Sequence, residues 1–301
     1  MQGGSKGAGG KRFWVNGRFV SESRATLPVL DRGLLFGDAL YEVVRFYRKR
    51  VFLLDRHMDR LFREAEIIGL PVRFTAAEVA RAVEGLAARS AEPGGLVLVE
   101  WTRGDGERRL APSPGFRGNL FAVRLPLPRL PRRYRNEGAP VLTLPDERWQ
   151  GTDLKSTNLL AAVLARSRAE REGCHEAILH RGRGPGARIT EGTSSTVFLV
   201  RKGVVITPAV RGLLPGITRE VVVGVVREEG LPLEERTVRL AELFEADEAF
   251  LTATSAEILP IGAVNGRPPA RSAPGPVTRL LIPAFRRVRD RILRKTPPAR
   301  K

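Results

Sequence analysis

Asp153-Leu154-Lys155-Ser156-Thr157-Asn158-Leu159-Leu160 sets one lysine in an apolar-flanked stretch of a chain that writes almost all of its cations as arginine. Only seven of the 51 basic residues are lysines: Lys6, Lys11, Lys49, Lys155, Lys202, Lys295 and Lys301. Where only positive charge is wanted arginine suffices, so Lys155 marks a position with a use for an amine. A partly buried amine is a usable nucleophile and forms Schiff bases, and a guanidinium does not. A plain surface lysine at the start of a helix is the other reading, and this stretch alone leaves the two open.

Outward from that lysine, the composition bounds the answer. The chain has 301 residues, 42% of them hydrophobic and 28% charged, enough for one large domain or two ordinary ones with a sizeable core. Extensive disorder is excluded. No apolar run reaches the ~20 residues of a membrane span, and Met1 to Lys11 is Gly-rich without a hydrophobic segment. A cytoplasmic protein with no membrane partner is the expectation. Cys174 stands alone and there are three histidines, which excludes a disulfide scaffold and a structural zinc site; no metal is expected. The net charge of +18 suggests an acidic partner, but residues 1–12 carry three of those charges and residues 279–301 carry eight. The remainder is thinly spread, so no nucleic-acid partner is expected; an arginine-rich nucleic-acid binder using 279–301 is the rival of another class.

The pattern along the chain is mixed α/β in two domains. Residues 1–12 read as a flexible tail. Phe13 to Val20, broken by Asn16-Gly17, reads as a β-hairpin, and Leu40 to Tyr47 with Val51 to Leu54 as further strands. Asp55 reads as the N-cap of a helix that Gly69 and Pro71 end, and Thr75 with Glu78 as a capping box opening a second helix through about Ala88. Strands follow at Leu96 to Arg103 and Leu120 to Leu125. Pro126 to Arg135 holds three prolines and four arginines, so residues 13–128 form the small N-terminal domain, 129–137 the linker and 138–294 the large C-terminal domain. There the pattern predicts strands at Val141 to Leu144, Ala177 to Leu179, Thr196 to Val200, Val204 to Ile206 and Glu248 to Ala253. Helices are predicted at Leu154 to Glu172, with Leu159, Leu160, Val163 and Leu164 as its apolar face, at Ile217 to Glu229, and at Val277 to Leu293. In the last, Leu281, Phe285, Val288 and Ile292 line one side and arginines the other; residues 295–301 should fray.

Three further features carry chemistry. Leu213-Leu214-Pro215-Gly216-Ile217-Thr218-Arg219 delivers Gly216 to a helix start, where free N–H groups and the dipole suit a phosphate; an ordinary capped helix fits the loop equally. Thr252-Ala253-Thr254-Ser255 is a hydroxyl-rich strand end. Thr190-Glu191-Gly192-Thr193-Ser194-Ser195 sets a carboxylate among small residues, where it could hold a proton on a heterocyclic nitrogen or sit solvated in a turn.

Together these segments resemble the class IV, fold-type IV pyridoxal-phosphate aminotransferases, and most closely the D-amino acid aminotransferases. The resemblance spans residues 13 to 293. It is carried by Asp31-Arg32-Gly33, Phe36-Gly37-Asp38, Tyr41-Glu42-Val43-Val44, His57-Met58-Asp59-Arg60-Leu61, Asp153 to Leu160, Glu172 to Leu179, Thr190 to Phe198 and Gly216-Ile217-Thr218-Arg219. It implies pyridoxal 5′-phosphate lying between the two domains, held covalently by Lys155, with Glu191 on the ring nitrogen. It implies Arg60, Ile217, Thr218 and Thr254 at the phosphate and Leu214 against the ring, with Ser194, Ser195 and Gly216 also lining the cofactor. Tyr41 and Ser255 fall near the substrate. The family's carboxylate-binding arginine corresponds to Arg108, and Leu110 stands where a histidine follows it, so Arg109 is the candidate replacement. A homodimer is implied, with the Arg108 loop available to the partner's site. The expected reaction passes the amino group of a D-amino acid to a 2-oxo acid such as 2-oxoglutarate. Branched-chain L-amino acid aminotransferase and aminodeoxychorismate lyase are the rivals within the family.

Overall fold

The computed structural model describes residues 12–268 and 273–299. The tail expected at 1–12 therefore lies, apart from Arg12, outside the described residues, as do Arg300 and Lys301 of the expected fraying end. The chain is mixed α/β and divides into two compact units. One holds the chain up to Leu127, Lys155–Asn158 and the chain from Ile292; the other holds Pro128–Leu154 and Leu159–Arg291.

The first unit runs β1 (Phe13–Val15), β2 (Arg18–Val20), α1 (Arg32–Phe36), β3 (Ala39–Tyr47), β4 (Arg50–Val51), α2 (Leu54–Ile67), α3 (Ala76–Ala88), β5 (Gly94–Thr102) and β6 (Leu120–Leu125). Its strands form one antiparallel sheet in the order β2-β1-β6-β5-β3-β4. The predicted hairpin is present: Asn16 and Gly17 both have positive φ, 48° and 92°, as a turn matching the strand twist requires. Along β3 the alternation sends Leu40, Val44 and Phe46 into the core with Met58 and Leu61 of α2 and Val83 and Leu86 of α3. Glu42 shares that buried face. The capping box at Thr75 forms with both reciprocal bonds. Asp55 does not cap α2. The N-cap is Leu53, in the left-handed region at φ 51°, and Asp55 sits in the first turn, where its charge suits the helix dipole.

The second unit continues with α4 (Arg132–Asn136), β7 (Ala139–Pro145), α5 (Leu160–Arg171), β8 (Glu176–Arg181), β9 (Arg188–Gly192), β10 (Thr196–Arg201), β11 (Val204–Pro208), α6 (Ile217–Glu228), β12 (Leu233–Arg236), α7 (Leu240–Glu245), β13 (Glu248–Ala253), β14 (Glu257–Val264) and α8 (Pro276–Lys295). Eight strands form a sheet ordered β12-β11-β10-β13-β14-β7-β8-β9. Its two ends meet. The Ile189 N–H donates to the Val238 carbonyl at 2.8 Å and the Leu240 N–H to the Ala187 carbonyl at 2.8 Å, so the sheet curls onto itself. One core fills the curl around Val197, Leu251 and Ile261. A second lies under α6 and α8, where Phe198 and Phe250 stack at 5.0 Å beside Val222, Leu281 and Phe285.

Four expectations give way to a different structure. The helix expected at 154–172 begins only at Leu160, because the backbone around Lys155 is used in pairing: Ser156 bridges Leu40, and the Tyr41 N–H donates to the Lys155 carbonyl at 2.9 Å. The apolar face assigned to that helix is not buried: Leu160, Val163 and Leu164 are more than half exposed and Leu159 is exposed too, while the helix packs through Ala162 and Ala169. Within the expected linker, α4 folds, and Leu130 and Tyr134 pack on the second unit's core. At the other end, Thr296 to Ala299 do not fray. Arg50 donates to the Thr296 carbonyl, and the Ala299 N–H to the Lys49 carbonyl at 3.0 Å.

Candidate active site

In the first unit, Lys155 and Tyr41 come together. The β3 bond to the Lys155 carbonyl seats the segment, and the lysine Nζ lies 4.3 Å from the Tyr41 ring centroid, in cation–π range. Both side chains are half-buried. The lysine's own N–H donates to Glu64 Oε2 at 2.7 Å.

Beside them lies a buried ionic cluster. Arg60 donates to both oxygens of Glu42, from Nε at 2.6 Å and from Nη2 at 2.9 Å, and His57 Nδ1 lies 2.7 Å from Glu42 Oε2. All three residues are buried. His57 and Arg60 share one face of α2 at i, i+3, and Glu42 meets them from the core face of β3. Burial works against the Glu42 charge, but the bonds and charges of His57 and Arg60 outweigh it and hold the carboxyl down to about 2. Burial keeps His57 below the ordinary histidine range against the pull of Glu42. Burial also opposes the Arg60 charge, and Glu42 reverses that, so this cation is permanent. A guanidinium fixed in this way suits a phosphate.

The loop from Arg103 to Asn119 carries Arg108 and Arg109. It is clamped through its main chain: Arg32 donates to the Arg109 carbonyl and, at 2.8 Å, to the Leu110 carbonyl. Asp38 in turn accepts from Arg32 at 2.8 Å and Arg103 at 2.7 Å. Arg108 lies over the Phe36 ring at 5.5 Å. Arg108, Arg109 and Leu110 are all exposed, Leu110 at 83%.

In the second unit, Glu191 is buried on β9 and accepts from Arg148 Nη1 at 2.7 Å. Arg148 is itself held by both oxygens of Asp146 at 2.9 Å. That pairing outweighs burial and raises Arg148 above the ordinary arginine value. A buried carboxylate beside a cation can accept a hydrogen bond from a protonated ring nitrogen. Ser194 and Ser195 turn their hydroxyls to the buried Glu176, at 3.4 and 3.0 Å, and so brace the turn after Glu191.

At the start of α6, Gly216 is the N-cap without a side-chain cap, leaving the first-turn N–H groups of Ile217 and Thr218 to an external partner. A Cβ on Gly216 would stand 3.1 Å from Thr196 Oγ1, so glycine lets this turn lie close against the start of β10. Buried Arg219 Nε and Thr252 Oγ1 have no hydrogen-bond partner among the described residues. Leu214, Thr254 and Ser255 are half-buried nearby in sequence, in the loop before α6 and the β13–β14 turn. This donor set fits a phosphate dianion.

Sequence reasoning passed over Glu64, Arg148, Asp146 and Glu176 as site residues. A glutamate breaking the apolar alternation of β3 was the available signal for Glu42; Arg148, one of 44 arginines, had none.

The site and curled fold define a family. The model of the class IV amino-transferases matches residues 39–264, and the chain belongs to that family, whose members are pyridoxal-phosphate-dependent transaminases. It is 36% identical over 265 residues to a D-alanine aminotransferase of Bacillus licheniformis, covering 88% of this chain and 92% of that one. A D-alanine aminotransferase of Listeria monocytogenes is 37% identical over 275 residues, 90% and 93% of the two chains. Among solved structures, the branched-chain amino acid aminotransferase of Escherichia coli superposes with a TM-score of 0.85 at 27% identity, covering 93% and 94%. That of Thermoproteus uzoniensis gives 0.82 at 31%, covering 94% and 95%.

Proposed function

We propose that this class IV aminotransferase takes the amino group of a D-amino acid of the D-alanine or D-glutamate type and passes it to a 2-oxo acid such as 2-oxoglutarate. The observation that carries the substrate choice is the identity of 36% and 37% to D-alanine aminotransferases over about nine-tenths of the chain. Pyridoxal phosphate, when bound, supplies the electron sink that makes the substrate Cα–H acidic. Lys155 is its point of covalent attachment, and the freed Nζ carries the Cα proton. Tyr41 flanks that nitrogen. Arg60, the first turn of α6 and Thr254 serve the phosphate, Leu214 packs on the ring, and Glu191, paired with Arg148, holds the ring-nitrogen proton. Arg108 takes the substrate carboxylate, with Arg109 and Ser255 alongside. The exposed Leu160, Val163 and Leu164 of α5 support a homodimer, since such a stripe is costly to leave in water.

A branched-chain L-amino acid aminotransferase is the second reading. It is favoured by the solved structures named above and by Leu110, which offers no ligand where a histidine is expected. Single-turnover reaction of the cofactor-loaded protein with D-alanine, D-glutamate, L-leucine and aminodeoxychorismate decides between them. Conversion by a D-amino acid is expected; conversion by L-leucine and by neither D-amino acid overturns the proposal. Lys155→Ala should lower turnover by at least about 10³-fold and remove the visible absorption of the covalently held cofactor.

A further inference from the structure

Glu64 lies on α2 one turn beyond Arg60 and is only 3% exposed. One of its oxygens accepts the Lys155 N–H at 2.7 Å, and the other, Oε1, is buried with no hydrogen-bond partner among the described residues. A main-chain amide could be satisfied by a neutral acceptor. A carboxyl in that place, with half of its acceptor capacity unused, costs desolvation that one bond to an amide offsets poorly. The cost has a purpose if the charge is used. The charged groups facing Glu64 are Lys155 on the segment paired with β3, Arg60 on its own helix and Glu42 on β3. Arg60 already donates two bonds to Glu42, and Lys155, whose amide Glu64 also holds, is the other cation facing it. Tyr41 approaches the same nitrogen with its ring and brings no negative charge.

We propose that Glu64 is a positioning residue for Lys155: it fixes the lysine's main chain through the amide and, by its negative charge, holds the proton on the lysine nitrogen. The inference rests on Lys155 being the point of cofactor attachment. Burial raises the Glu64 carboxyl above its ordinary value, against the bond from Lys155 and the charge of Arg60. The bond from the Lys155 amide and the charge of Arg60 both favour the ionised carboxylate.

The test is a pH titration of the visible absorption of the full-length protein loaded with pyridoxal phosphate. Lys155→Ala comes first. If the absorption of the covalently held cofactor survives it, the assignment of Lys155 fails, whatever Glu64 does. With that established, Glu64→Gln keeps the size and the acceptor for the amide but removes the charge, and the midpoint should fall by about one pH unit, as expected for one charge lost at close range. Glu64→Asp should restore part of the shift. Should the glutamine variant not fold, Glu64→Ser is read in the same way, with the same fall expected. An unchanged midpoint in the neutral variant overturns the proposal, because a purely structural contact would alter stability and leave the lysine proton where it was.

Discussion

Each unit of the chain holds a buried glutamate bonded to an arginine, and the proposed function uses the two pairs in opposite senses. In the first, Arg60 is the working group and Glu42, with its two oxygens spent on Arg60 and His57, is the support. In the second, Glu191 is the working group and Arg148 the support, itself held by Asp146. The same chemical pair thus prepares a cation in one place and an anion in the other. In each pair the supporting member, Glu42 or Arg148, is bonded to a further residue, His57 or Asp146.

The contrast is broken most directly at Glu42. Glu42→Gln removes the buried charge that Arg60 and His57 are bonded to, and a loss of about 3–5 kcal/mol in denaturant stability is expected; a loss below about 1 kcal/mol would remove Glu42 from the role of support. The same pair predicts the direction of acid sensitivity. The Glu42 carboxyl is held below its unfolded value of 4.5, so its contribution is complete above that value and is lost as pH falls through about 2. His57, depressed from 6.5, likewise favours the fold only while neutral and adds to the loss on acidification. The thermal midpoint of wild type should therefore fall towards that of Glu42→Gln as pH drops from 4.5 to about 2, the window in which the Glu42 contribution is lost.

Arg148→Met tests the other pair. It removes the cation bonded to Glu191, and kcat should fall on the order of tenfold, as for one close charge lost beside the ring nitrogen. KM for the amino donor should change little, since Arg148 does not face the substrate in the proposed assignment. A large KM change with kcat intact would show that Arg148 binds substrate. The smallest effect lies away from both pairs. Thr75→Ala removes the N-cap of α3 and should cost about 1 kcal/mol without changing turnover.

Legibility in the sequence followed the range of the signal. The β-hairpin at Asn16-Gly17, the capping box at Thr75 and the start of α6 at Gly216 are written in adjacent residues and were found. The start of α5 was misplaced because nothing local says that Lys155 to Asn158 will spend its backbone groups on β3. The exposed leucines of α5 carry helical apolar spacing whether they meet a core or another surface. In the candidate site, Lys155 is singled out by the scarcity of lysine, and Glu191 by the family resemblance. Arg148 and Glu64 are not, since an arginine in an arginine-rich chain and a glutamate on an amphipathic helix look like solvent-facing residues until tertiary packing buries them.

The bond that seats Lys155 joins residues 91 apart in sequence, and the strand it pairs with is distant along the chain as well. Such contacts close long loops, at a cost in entropy that a local contact does not carry. Lys155 is held by β3 and α2 and not by its neighbours in sequence. A chain cut at Leu127 would leave the first unit without Lys155–Asn158, so the segment with the candidate lysine is built into a unit that neither part of the chain supplies alone.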